Sequence, residues 1–200
     1  MAPLPPRSAR VERQTAETTV RVALELDAAE PTYRNATGVG FLDHMLDLLA
    51  RHGRLGLVVE AEGDLHVDDH HTVEDVGICI GRALAEALGD KAYIGRYGSA
   101  TIPMDEALAR AALDLSGRAY LVFEVHFDRE RVGDLSTELV EHFFWSLAEQ
   151  ARMTLHLDVL RGKNDHHRIE ALFKAFARAL RQAVARDPEG DRLPSSKEAF

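Results

Sequence analysis

Asp69-His-His-Thr-Val-Glu74 and Asp165-His-His-Arg-Ile-Glu170 are one phrase written twice, and reading them as a repeat decides the fold. The register supports it. Glu74 is followed eight residues later by Arg82-Ala-Leu84, and Glu170 eight residues later by Arg178-Ala-Leu180. Upstream, Asp43-His44 precedes His70-His71 by 26 residues, and Glu141-His142 precedes His166-His167 by 24. So many matches in step point to an internal duplication of about 95 residues, too long a period for a solenoid.

Working outward, each phrase opens a long helix: residues 71–88, ended by Gly89, and residues 166–185, closed near Asp187-Pro188. Before the first lie an alternating strand over 18–27, with Val20, Val22, Leu24 and Leu26 on one face, and a loop over 31–40 rich in Pro, Asn and Gly. A short helix from Phe41 toward His52 and a strand over 55–62 follow. The second half reads as a strand over 118–127, a helix over 136–150, a strand over 153–160 and the last helix. Strand, helix, strand, helix occurs twice. This predicts an α+β fold of two similar halves about a pseudo-two-fold axis, helices layered on mainly antiparallel sheets. The expected boundaries are a flexible arm over 1–10, halves over 11–92 and 93–190, and a tail over 191–200, all in one compact unit.

Composition narrows the function classes. Of 200 residues, 46% are hydrophobic and 28% charged, enough for a real core and too apolar for disorder along most of the chain. Lys and Arg number 24 against 33 Asp and Glu, a net charge of −9, so no overall field draws nucleic acid or an anionic membrane, and any phosphate site must be local. The single cysteine, Cys79 in Gly77-Ile-Cys-Ile80, excludes a disulfide framework and cysteine-based zinc chemistry, and reads as a buried core thiol. No window reaches the roughly 18 apolar residues of a transmembrane helix, and the start Met1-Ala-Pro-Leu-Pro-Pro-Arg7 lacks a signal peptide's apolar run, so the cytoplasm is expected. Histidine stands out, at ten residues with two adjacent pairs.

Helical geometry says what the repeated phrase can do. His70 with Glu74 and His166 with Glu170 are i and i+4, on one face, and each pair can grip one ion. The second histidine of each pair points about 100° away, so His71 and His167 must serve something else. Acidic residues near a helix start also complement the dipole, which explains one such phrase but not two in register, each preceded by a lone histidine, His44 and His142. Two metal sites follow. Imidazole nitrogens and carboxylates without thiolate suit Mn, Fe or Zn, and three His with one Glu leave octahedral positions open for a substrate. His66, His126 and His156 lack this symmetry and read as surface or core residues.

These residues sit inside longer motifs: Phe41-Leu-Asp-His-Met-Leu46, Asp68-Asp-His-His-Thr-Val-Glu-Asp75, Met104-Asp-Glu-Ala107, Asp114-Leu-Ser-Gly-Arg118, Leu139-Val-Glu-His-Phe-Phe144, Asp165-His-His167 and Pro194-Ser-Ser-Lys197. In that order, from Glu12 to Lys197, the chain resembles the monofunctional imidazoleglycerol-phosphate dehydratases of histidine biosynthesis. The resemblance implies a hydro-lyase that takes water from D-erythro-imidazole-glycerol phosphate to give imidazole-acetol phosphate. It implies a duplicated domain similar to the second domain of ribosomal protein S5, assembled as a homo-24-mer with sites between subunits. It implies two Mn(II) ions per site, one on His44, His71, His166 and Glu170, the other on His70, Glu74, His142 and His167.

The carbon that loses its proton has no carbonyl to acidify it, and metal on the ring nitrogens would stabilise an imidazolate. Glu17, in Thr15-Ala-Glu-Thr18, is the candidate acid-base residue implied by the resemblance, with Asp105 as a second catalytic candidate. His44, His52 and His70 would meet substrate, and Arg96, Arg118, Lys174, Ser195, Ser196 and Lys197 would hold it by its phosphate and other polar groups. Lys174, four residues past Glu170, shares the metal face of its helix. Leu48 stands where some relatives carry Gln, and Glu198 where Gly is usual. Two rival readings share the donor set: a dimetal phosphate-ester hydrolase, and a structural or storage protein whose ions only join subunits.

Overall fold

The strands follow from alternation. The computed structural model describes residues 6–187 and 189. Its first half runs β1 (Ser8–Gln14), β2 (Thr18–Glu25), β3 (Tyr33–Ala36), α1 (Gly40–Gly53), β4 (Gly56–Gly63) and α2 (His70–Leu88). The second runs β5 (Tyr97–Met104), β6 (Ala107–Asp114), β7 (Tyr120–Glu124), a small hairpin β8 (Arg131–Val132) and β9 (Leu135–Ser136), α3 (Glu138–Ala151), β10 (Thr154–Arg161) and α4 (Asp165–Val184). In β2, Val20, Val22 and Leu24 are buried while Arg21 and Glu25 face solvent, the period of a sheet with one covered face.

The halves match element for element. The sheet orders are β1-β2-β4-β3 and β5-β6-β10-β7, each with two antiparallel ladders and a parallel fourth strand. Helices cover the inner face of each sheet and meet in between, α2 packing on α3 and α1 on α4. Both helix pairs therefore draw one member from each half. The α+β duplication stands as expected, but its strand alignment needs correcting. The strand expected over 118–127 is β7, which pairs parallel to β10 as β3 pairs to β4, so its counterpart is β3 rather than the strand over 18–27. The segment over 31–40 is not all loop, since it holds β3, four residues too short and too exposed to display a period. Nor is all of 1–10 an arm, because residues 8–10 begin β1, paired to β2.

The centre of the molecule is aromatic and close-packed. Phe143, Phe144, Phe173 and Phe176 are fully buried, and Phe144 lies 4.8 Å from Phe173 and 5.3 Å from Phe176 between ring centroids. Cys79 is buried, and burial pushes its thiol up to about 11, away from reactivity. Two glycine contacts bring backbones together. A Cβ on Gly81 of α2 would lie 2.6 Å from the Leu147 carbonyl of α3. One on Gly98 of β5 would lie 1.9 Å from the Ala179 carbonyl of α4. Among the described residues no helix is long and apolar enough to cross a membrane.

Candidate metal centre

The i and i+4 pairs start α2 and α4, and the cross-packed helices bring each a third donor. His142 on α3 joins His70 and Glu74; His44 on α1 joins His166 and Glu170. Within each trio the ligand atoms lie within 4.8 Å of one another. His142 Nε2 is 3.0 Å from a Glu74 oxygen, and His166 Nε2 is 3.2 Å from a Glu170 oxygen. The rings of His70 and His142 are 4.7 Å apart, and Phe41 packs edge-on against His166 at 4.9 Å. Burial pushes the Glu170 carboxyl up, but Lys174, 2.5 Å away, and His166 hold it below its ordinary value, as a charged ligand needs. Nitrogen and carboxylate oxygen converging without sulfur fit a borderline divalent ion, and three donors leave coordination positions to fill.

His71 and His167 join neither trio. The ring nitrogen Nδ1 of His71 lies 3.1 Å from Asp64, and that of His167 lies 2.7 Å from Glu106. Each carboxylate raises its histidine's pKa. The helical argument that the second histidine serves elsewhere agrees with this placement. Of the two four-ligand sets implied by resemblance, one chain assembles three members of each.

The aspartates that open the two phrases hold the frame. Asp69, buried, accepts from the Ser136 amide at 2.6 Å, the Ser136 hydroxyl at 2.8 Å and Arg131 at 3.0 Å. Asp165, also buried, accepts from the amides of Asp128 and Arg129 at 2.9 and 2.8 Å. Asp134, between β8 and β9, accepts from the amides of Gly40 and Phe41 at 2.6 and 2.9 Å, satisfying the open end of α1. The hairpin of the second half thus pins the starts of both helices that carry first-half histidines.

Glu17 lies exposed on the β1–β2 turn, close enough to His71 for its charge to raise that histidine's pKa. Its side chain faces open surface while its backbone is tied down. Thr15 Oγ1 accepts from the amides of Glu17 and Thr18 at 3.1 and 3.0 Å, Thr18 Oγ1 donates to Asp75, and Arg13 donates to Asp75 at 2.7 Å. Asp75 follows Glu74 on α2 and its side chain is only 6% exposed, so one buried carboxylate joins the acidic turn to a metal-bearing helix. Asp75→Ala is expected to cost about 2 to 4 kcal/mol, because Thr18 and Arg13 lose a buried partner together. The urea midpoint measures this, and a loss under about 0.5 kcal/mol, the size of an ordinary surface change, would show the link to be idle.

The basic residues expected on the phosphate are dispersed within one chain. Lys174 stands at the Glu170 trio, and half-buried His52 faces it, its pKa lowered by burial and by Lys174 and Arg51. Arg96 forks onto Asp114 at 2.7 and 3.1 Å, and Arg118 is exposed past the end of β6. Both lie at the opposite end of β5 from the Met104 turn, about 25 Å along the strand at 3.3 Å per residue. Asp105 is exposed on that turn, with φ +46° and 3.8 Å from His167 Nε2. Ser195, Ser196 and Lys197 lie outside the described residues, and Leu48 packs against the core. Sequence reasoning missed Asp64 and Glu106. Glu106 adjoins Asp105 in the same motif, but nothing local says which of two neighbouring acids reaches back to α4.

Comparison with known proteins identifies the family. The family model described as imidazoleglycerol-phosphate dehydratase matches residues 37–180. The chain is 62% identical over 192 residues to the imidazoleglycerol-phosphate dehydratase of Salinibacter ruber, covering 96% of this chain and 95% of that one. It is 58% identical over 191 residues to that of Streptococcus mutans, covering 96% and 98%. The crystal structure of the Staphylococcus aureus imidazoleglycerol-phosphate dehydratase superposes with a TM-score of 0.81 at 46% identity, covering 90% of this chain and 99% of that one. The chain belongs to the imidazoleglycerol-phosphate dehydratase family.

Proposed function

We propose that the protein removes water from D-erythro-imidazole-glycerol phosphate to give imidazole-acetol phosphate, as a cytoplasmic lyase of histidine biosynthesis with two Mn(II) ions in each site. The observation that carries this reading is the pair of three-donor clusters, each spanning both halves and each short of one histidine, while His71 and His167 face away from them. Such a chain completes its sites by presenting its outward histidines to other copies, which favours the homo-24-mer over a monomer. The separation of Arg96 and Arg118 from the Glu170 trio along β5 supports the same sharing, since one substrate meets both only across subunits.

His44, His166 and Glu170 would hold one ion and His70, Glu74 and His142 the other, with His71 and His167 supplied by neighbours. The ions when bound supply Lewis acidity toward the substrate's ring nitrogens. The chain's own residues do the rest. Glu17 takes the C–H proton, the electron pair left on carbon becomes the carbon–carbon double bond as the neighbouring hydroxyl departs with its bonding pair and takes up a proton to leave as water, and the enol so formed rearranges to the ketone. Lys174 holds Glu170 charged, and cations from the β5 end of a neighbour hold the phosphate.

Chelator treatment is expected to abolish the keto product and lower the particle mass, with Mn(II) restoring both. The assay follows keto product and free phosphate side by side. Metal-dependent ketone without phosphate supports the dehydratase. Phosphate release would replace it with the hydrolase, and a loaded, assembled but inert protein would leave ions that only join subunits.

A further inference from the structure

Outside the two trios, the acids that hydrogen-bond to the outward histidines are Asp64 and Glu106, which belong to different parts of the repeat. Asp64 follows β4, just before α2. Glu106 is in the β5–β6 turn, whose counterpart in the first half is the turn that carries Glu17. Duplication therefore did not copy one carboxylate into two places. Each half reaches the same contact from its own loop, carboxylate oxygen to Nδ1 of the outward histidine, at 3.1 Å for Asp64 and 2.7 Å for Glu106. A contact reached twice by different routes answers a requirement of the histidine rather than of the fold.

Glu106 accepts at both oxygens. One oxygen takes the amides of Lys163 and Asn164 at 3.0 and 2.8 Å, the other takes His167 Nδ1. Both amides meet Glu106 as donors, so the carboxylate is placed to accept, and its contact with His167 puts the hydrogen on Nδ1 and the lone pair of the neutral ring on Nε2. Resting on the dimetal reading above, we propose that Asp64 and Glu106 are positioning residues that fix His71 and His167 in the Nδ1–H tautomer and aim Nε2 outward, ready to ligate an ion held by another copy of the chain.

Glu106→Gln separates this role from a structural one. The amide oxygen can still accept from Lys163 and Asn164, but its NH2 now faces Nδ1 as a donor and drives the ring hydrogen onto Nε2. Metal-free protein labelled with 15N-histidine is expected to show His167 moved to the Nε2–H form, and Mn(II) titration read by electron paramagnetic resonance to show one of two sites weakened by about 10- to 100-fold. Glu106→Asp, which keeps an acceptor, should recover much of that affinity. Asp64→Asn tests the same logic at His71 without touching the turn before α4, should Glu106→Gln fail to fold. Unchanged Mn affinity and an unchanged tautomer in both variants, beside a parent that binds two ions, would overturn the positioning role alone. A parent that binds no Mn(II) would overturn the dimetal reading and this inference with it.

Discussion

Glu17→Gln is expected to lower kcat by about a hundredfold or more, with KM, Mn content and particle mass close to those of the parent. The carboxylate stands on a turn whose geometry is set by others, with Thr15 satisfying the amides and Thr18 anchoring to Asp75. Among the described residues its side chain enters no hydrogen bond or ion pair, so the amide disturbs little and stability should stay within about 0.5 kcal/mol. An amide cannot take a proton, and an acid-base residue is the component whose loss lowers the rate while leaving binding in place. Steady-state kinetics beside metal analysis and light scattering measure each quantity. Full activity would refute the assignment, and loss of metal with activity would make Glu17 a part of the ion site instead.

Among the described glycines, Gly98→Ala should be the most damaging change to alanine. The added carbon would sit 1.9 Å from the Ala179 carbonyl and 3.2 Å from its Cα, a backbone contact with no flexible side chain to yield. Relief requires prising β5 away from α4, the helix that carries His166 and Glu170. Overpacking usually costs about 1 to 3 kcal/mol, and a rigid backbone neighbour takes it beyond that range. Soluble yield and thermal unfolding check the result. Gly89→Ala is the contrasting variant, since nothing lies within 4 Å of its position and only a positive φ of 55° is strained. If the two variants melt together, β5 is free to shift and the close approach is incidental.

How much the sequence discloses depends on how local the cause is. The His70–Glu74 and His166–Glu170 grips are set by helix pitch alone, and the structure draws both into trios with the lone histidines at matching distance. The turning away of His71 and His167 follows from the same pitch. Strands were legible where large side chains alternate, as in β2, and escaped where they do not. In β6 the inward positions Ala107, Ala109 and Ala111 are small residues of helical propensity, so the period carries little hydrophobic contrast. β5 alternates exposed and half-buried positions and buries only Gly98. The partner of His167 was invisible for a different reason: Glu106 reaches a residue 61 positions away, and only the pairing of β5, β6 and β10 beside α4 brings them together.

The crossed pairing of helices carries a further meaning. A single repeat owns His44 on one helix and the His70–Glu74 grip on another, halves of two different trios, so only two repeats together enclose an ion. Two identical repeats associating as a symmetric dimer would build two identical centres. Joining them into one chain released the centres from that identity. Glu170 is now 9% exposed and held by Lys174, while Glu74 is 37% exposed with Ile78 at the position of that lysine. Fusion thus made it possible for two inherited, equivalent centres to diverge, one with a buried, charge-compensated carboxylate and the other with a half-exposed one that no lysine joins from the next turn.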